Sequence, residues 1–152
     1  MTKFRFLPNI AIADTAFEAC GKNLNELFEN CALATFTEMV DLKTVTPKVK
    51  KQISLSAEKI EALLYDFLSE ILFIKDTESM VFAKIQCKIT ESGICLPDST
   101  CKEQWTLQAE LYGEKINQEK HKLGNDVKAV TWHRFQVIKQ KSQWKAQVIL
   151  DI

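Results

Sequence analysis

Val81-Phe82-Ala83-Lys84-Ile85-Gln86-Cys87-Lys88-Ile89 alternates with a period of two. Val81, Ala83, Ile85, Cys87 and Ile89 face one way; Phe82, Lys84, Gln86 and Lys88 face the other. This is the pattern of a half-buried strand. It decides the fold because the period changes here. Before it the long apolar stripes are helical; after it the alternation persists to the end.

Immediately upstream, Ile60, Leu63, Leu64, Phe67, Leu68, Ile71 and Leu72 recur at helical spacing. Ser56 is expected to cap this second helix, with Glu58 in its first turn where the dipole favours an anion. Its stripe is wide enough to lie on a sheet and touch a neighbouring helix. Further back, Leu24, Leu27, Phe28, Cys31, Ala32, Phe36 and Met39 predict a first helix from Leu24 to Met39. Asn23 is its N-cap, with Glu26 three residues on. Between the helices, Thr44 to Lys51 reads as a loop carrying Pro47 and the lysines 48, 50 and 51. Val49, Lys51, Ile53 and Leu55 then share one face of a strand. The lysines read as a solvated edge, since no aromatics interleave to stack on bases.

The chain opens with Phe4 and Phe6 alternating with Lys3 and Arg5, a short strand ended by Pro8 and Asn9. In the next strand Thr15, Phe17 and Ala19 oppose Asp14, Ala16 and Glu18, and Gly21 closes it. Downstream, Trp105, Leu107, Ala109 and Leu111 form one apolar row. Val127, Ala129, Thr131, His133, Phe135 and Val137 form another, and Trp144, Ala146, Val148 and Leu150 the last. Glu91 to Gln104 reads as a polar loop. The expected fold is α+β: a mostly antiparallel sheet, connected as a meander, with two amphipathic helices packed on one face. The whole chain, 1–152, is expected to form a single domain.

Lysine plus arginine and aspartate plus glutamate both number 20, which argues against a chain that holds nucleic acid by itself. The five cysteines, Cys20, Cys31, Cys87, Cys95 and Cys101, include no C-x-x-C pair and read as free thiols in a reducing cytoplasm. A Cys95–Cys101 bridge is conceivable, but that compartment argues against it. The start, Met1-Thr2-Lys3-Phe4-Arg5-Phe6, is expected to run straight into folded sequence without a secretory leader. No apolar run is long enough to cross a membrane. Nucleophile-elbow, zincin, P-loop and dinucleotide-binding motifs are all missing. His133 is expected to be a satisfied, half-buried side chain, and His121 a solvated one in a polar loop.

One constellation stands out. Gln147-Val148-Ile149-Leu150-Asp151-Ile152 ends an apolar strand with two oxyanions one residue apart. Asp151 points away from the face of Val148 and Leu150, and Asp14 away from that of Phe17. If the two strands pair, Asp14, Asp151 and a main-chain oxygen of Ile152 form an all-oxygen site for a hard cation such as Ca²⁺ or Mg²⁺. The plain alternative is a fraying end with a solvated aspartate.

Several separated segments resemble the archease family. They are Phe6-Leu7-Pro8, Ala13-Asp14-Thr15-Ala16-Phe17-Glu18-Ala19 with Gly21-Lys22, and Leu63-Leu64-Tyr65-Asp66-Phe67-Leu68. Tyr112-Gly113-Glu114, Lys120-His121, Val127-Lys128-Ala129-Val130-Thr131 and Leu150-Asp151-Ile152 follow in order. The resemblance implies an archease-like fold and a protein that is not itself an enzyme. Archeases are accessory factors of RtcB-type RNA ligases in tRNA splicing, tRNA processing and RNA repair. They promote guanylylation of the ligase and its multiple turnover. By that resemblance the metal ligands are Asp14, Asp151 and Ile152. The cofactor is a divalent ion, calcium in the first instance, with Mg²⁺ or Mn²⁺ as substitutes. The partner is the ligase in the cytoplasm, with RNA and GTP met only through it, and no membrane. Lys120, His121 and Lys128 become candidate contacts with ligase or nucleotide, although Lys128 shares a face with Val130 and Trp132. Where the family often has His-Thr-Ala before the first aspartate, this chain has Ala11-Ile12-Ala13. The loop from Ile94 to Gln104 is longer than usual. A chaperone or modulator of an RNA-modifying enzyme, such as a tRNA methyltransferase, is the alternative. An autonomous hydrolase lacks an evident general base.

Overall fold

The computed structural model describes residues 3–8 and 14–152, with Ile94 described by its backbone alone. Residues 11–13, where the family's histidine would fall, lie outside the described residues.

Strand β1 (Phe4–Leu7) pairs antiparallel with β2 (Asp14–Gly21). Helix α1 (Leu24–Met39) starts where expected: the Asn23 side chain accepts a hydrogen bond from the Glu26 amide at 2.9 Å. A single 3-10 turn (Leu42–Thr44) leads to β3 (Val49–Ala57) and then α2 (Ile60–Glu78). Strands β4 (Met80–Cys95), β5 (Cys101–Lys115), β6 (Ala129–Gln140) and β7 (Gln143–Asp151) complete the chain. The strands form two antiparallel sheets, ordered β1-β2-β7-β6 and β3-β5-β4. Both helices serve both sheets: α1 packs on β2, β7 and β4, and α2 on β6, β3 and β5. Their stripes supply the centre of the core, where Phe28, Phe36, Leu63, Leu64, Phe67 and Leu68 are fully buried.

Four expectations change. The meander breaks after β5, because β3 occupies one edge of β5 and β4 the other, so residues 116–128 cross to the second sheet. Ser56 is not a cap. It pairs with Thr106 in the β3–β5 ladder, and α2 starts after Lys59 with Glu61 in its first turn. The 91–104 segment is the far end of the β4–β5 hairpin. Its register runs to Cys95↔Cys101, and those two cysteines form a disulfide. Most of the hairpin tip is exposed, so both faces are polar and the strand signal vanishes from the sequence. Of the five cysteines only Cys20, Cys31 and Cys87 are free thiols, and burial pushes Cys31 and Cys87 far above an ordinary thiol.

The fourth change is in β6. Its ladder runs Thr131↔Ile149 and resumes at Gln136↔Gln147, so Trp132–Phe135 lie against Val148 alone. This large bulge shifts the alternation: Val130 and Val137 are both buried, and His133 is exposed, contrary to expectation.

Candidate metal site at the paired ends of β2 and β7

The β2–β7 ladder runs in unbroken register from Gly21↔Trp144 to Asp14↔Asp151. The sequence could place the two aspartates on outward faces; only this register places them opposite each other. Phe17 and Val148 are cross-strand partners and both 0% exposed, so their face is the core face. Thr15 and Leu150 lie on that face too, and alternation turns Asp14 and Asp151 to the other. Further along the outer face Glu18 takes Arg5 at 3.3 Å and Lys145 at 3.1 Å. No such ion pair joins Asp14 or Asp151 to a cation among the described residues.

Directly opposite side chains place their Cβ atoms about 4.5–5.5 Å apart, and like charges there are destabilising. A cation between the two carboxylates would reverse the sign of that interaction. The donors are hard oxygens, which suits Ca²⁺ or Mg²⁺ and not zinc. Among the described residues no group of three or more His, Cys, Asp or Glu side chains is poised around a common point. Ile152, next after Asp151, carries the main-chain oxygen nearest in sequence that could add to the two carboxylates. The two facing carboxylates are donors of the kind a hard divalent ion takes.

The end of the ladder is tied down from the far side. The Lys128 amide donates to the Asp151 carbonyl at 2.8 Å, and Ala129 pairs with Asp151 in the ladder. The segment just before Lys128, 124–127, is held in turn by both helix C-termini. Lys75 of α2 is buried, yet its ammonium reaches Asp126 at 2.6 Å, Asp76 at 2.8 Å and the Val127 carbonyl at 3.1 Å. Burial alone would lower its pKa, but the bonds to Asp126 and Asp76 outweigh it and hold the amine charged. From α1, the Met39 and Glu38 carbonyls accept from the Gly124 and Asn125 amides. A Cβ on Gly124 would meet the Glu38 carbonyl at 2.5 Å, so only glycine allows this approach.

Lys120 and His121 belong to a separate cluster around Glu114. The Glu114 carboxylate accepts from Lys120 Nζ at 2.6 Å, the Thr46 amide at 2.7 Å and His121 Nε2 at 2.9 Å. His121 Nδ1 accepts from the Asn117 amide at 3.0 Å, which fixes the neutral tautomer with its proton on Nε2. The His121 side chain is 0% exposed. It is not the solvated residue expected, and it has no ring atom to offer a nucleotide. Lys120, partly exposed, is committed to Glu114 and Thr46. Of the three candidate contacts only Lys128 adjoins the aspartate pair.

His121 first, then Lys120 and the Thr46 amide, hold the Glu114 carboxyl well below the usual carboxylate range. A depressed folded pKa contributes stability above the unfolded value, near 4.5, and loses it as pH falls through the folded one. Glu114→Gln should therefore lower stability at neutral pH and flatten the decline below about pH 4.5. Urea midpoints measured from pH 2 to 7 check this. A variant whose acid limb parallels the wild type would contradict it.

Sequence reasoning missed Trp132 and Arg134 on the β6 bulge, and Lys75 as an anchor. The first two carried a signal: Trp132-His133-Arg134-Phe135 interleaves aromatic and basic side chains. Lys75 carried none, since its partners are distant in sequence.

The chain matches the Archease protein family over residues 4–152. It is 39% identical to an archease of Methanothermobacter thermautotrophicus and 36% identical to one of Pyrococcus abyssi, in each case across 92% of this chain and 93% of the relative. The solution structure of Methanobacterium thermoautotrophicum protein 1598 superposes with a TM-score of 0.78 at 34% identity, covering all of both chains. The crystal structure of an archease from Thermotoga maritima, described as a possible chaperone, shares the fold at a TM-score of 0.60 and 17% identity over 96% of each chain. The chain belongs to the archease family.

Proposed function

We propose that this protein is the accessory factor of an RtcB-type RNA ligase, not an enzyme itself, and that it promotes guanylylation and multiple turnover of its partner in tRNA splicing or RNA repair. The observation that carries the reading is the Asp14↔Asp151 register, with the Lys128 amide on the Asp151 carbonyl. Membership of the family supports the choice of partner. Asp14, Asp151 and the Ile152 main chain would hold one hard divalent ion, Ca²⁺ by the family resemblance, with Mg²⁺ or Mn²⁺ as substitutes. Bound there, such an ion supplies positive charge toward nucleotide phosphates. The chain's own groups do the rest. The aspartates aim the site outward from the end of the sheet, Lys75 and Asn125 fix the approach of 124–128, and the Lys128 amide ties the Asp151 carbonyl in place. The work is placed in the cytoplasm, beside the ligase. No helix among the described residues is long and apolar enough to cross a membrane.

The test is formation of the ligase–GMP adduct from the cognate ligase, GTP and divalent metal, with this protein substoichiometric. The expected result is many adducts and many ligations per molecule of this protein. An unchanged rate would remove the accessory reading. A chaperone of an RNA-modifying enzyme is the second reading. It is favoured by the exposure of Trp132 and Phe73, at 54% and 59%. Protection of such a client without any metal would establish it.

A further inference from the structure

Two of the most exposed large apolar side chains, Phe73 and Trp132, lie on α2 and β6 around a single aromatic group. Trp132 stacks on Tyr65 with ring centroids 4.1 Å apart and planes 10° from parallel. Phe135 meets both rings edge-on, at 5.1 Å from Trp132 and 5.9 Å from Tyr65. The Tyr65 hydroxyl donates to the Val130 carbonyl at 3.1 Å, which fixes the backing ring to the strand it supports. One face of the indole is thus covered by Tyr65 while more than half of the residue stays in water.

The bulge puts it there. Four residues, Trp132–Phe135, span the single residue Val148 of the partner strand. Arg134 adopts φ 52°, a left-handed conformation that costs an ordinary side chain about 1–3 kcal/mol. Gln147 Nε2 donates to the Arg134 carbonyl at 3.2 Å and holds the bulge in shape. His133 and Arg134 are both exposed. Beside Tyr65 lies a 240 Å³ hollow lined by Tyr65, Phe73 and Lys128. The nearest acid lining it, Asp76, is paired with Lys75 at 2.8 Å.

We propose that Trp132, backed by Tyr65, next in sequence to the exposed His133 and Arg134, and close to the Lys128 that lines the hollow beside Tyr65, is a stacking platform for an unpaired base of single-stranded RNA. A rigid aromatic face with exposed cations, here Arg134 and Lys128, in its neighbourhood is what binding of single strands requires, since every base has a π-face and every linkage a phosphate. An apolar protein contact would not call for cations there, so charge complementarity favours the nucleic acid. The zero net charge of the chain limits such binding to a weak, local grip of one or two bases. The choice of RNA over DNA rests on the proposed function; the stacking geometry does not.

The experiment uses the free, full-length protein and a fluorescein-labelled oligoadenylate RNA, read by anisotropy and by tryptophan fluorescence. Wild type should bind with quenching of its indole emission. Trp132→Ala, whose unchanged thermal midpoint shows it is folded, should bind about tenfold more weakly through loss of one stacked base. Arg134→Gln keeps the indole reporter and should weaken binding several-fold. With two phosphate contacts, affinity should fall only about sevenfold between 50 and 200 mM salt. Absence of wild-type binding, or equal binding by Trp132→Ala, overturns the proposal. So does a Trp132→Ala variant that loses ligase stimulation when the wild type has no RNA affinity, because the surface is then a protein contact. No ligase is present in the binding assay. RNA binding without guanylylation would refute the function and leave the platform standing; the converse would do the opposite.

Discussion

Asp14→Ala is expected to abolish stimulation of ligase guanylylation while leaving the protein folded. Asp14 is the first residue of β2, partly exposed, and points away from the core face of Phe17. Its carboxylate opposes that of Asp151, an arrangement that costs roughly 0.2–1 kcal/mol when nothing lies between them. Without metal the variant should therefore melt at or slightly above the wild-type temperature. With calcium at about 100 times its dissociation constant, the wild type should gain about 2.7 kcal/mol and the variant nothing. Thermal midpoints with and without calcium, beside the adduct assay, separate loss of a ligand from loss of structure. A variant that stimulates fully would show that Asp14 is not part of the working site. One that unfolds would show that it is part of the scaffold.

Phe67→Ala should produce the largest loss of stability. Phe67 lies on the α2 stripe, is fully buried, and stacks on Phe28 of α1 with centroids 6.0 Å apart. It joins two helices that each serve both sheets, so the cavity has no loose element to collapse into. Removal of a buried phenyl ring costs about 3–5 kcal/mol. In a chain of this size that lowers the thermal midpoint by roughly 6–20 °C. Urea and thermal unfolding check it. A cost near 1 kcal/mol, far below that of buried rings in general, would mean that the helix layer repacks.

The helices were legible because their signals are local. Asn23, Glu26 and the stripe from Leu24 to Met39 place α1 to the residue. Where long-range pairing overrides local signal, the sequence misleads. Ser56 is a good helix cap in isolation, but its partner Thr106 keeps it in a strand. The alternation through Thr131, His133 and Phe135 looks unbroken, since a bulge inserts residues without changing their chemistry. His121 looks solvated between Lys120 and Lys122, and is buried because Glu114, seven residues earlier, accepts its hydrogen bond. Of the candidate site, the outward faces of Asp14 and Asp151 were legible from period two. Their pairing was not, because nothing in spacing specifies which strands meet.

Calcium titrated calorimetrically into the metal-free protein tests the central claim most directly. One site per chain is predicted, lost in both Asp14→Ala and Asp151→Ala. Binding that is absent from the wild type, or equal in all three proteins, would contradict a metal site built by the β2–β7 register.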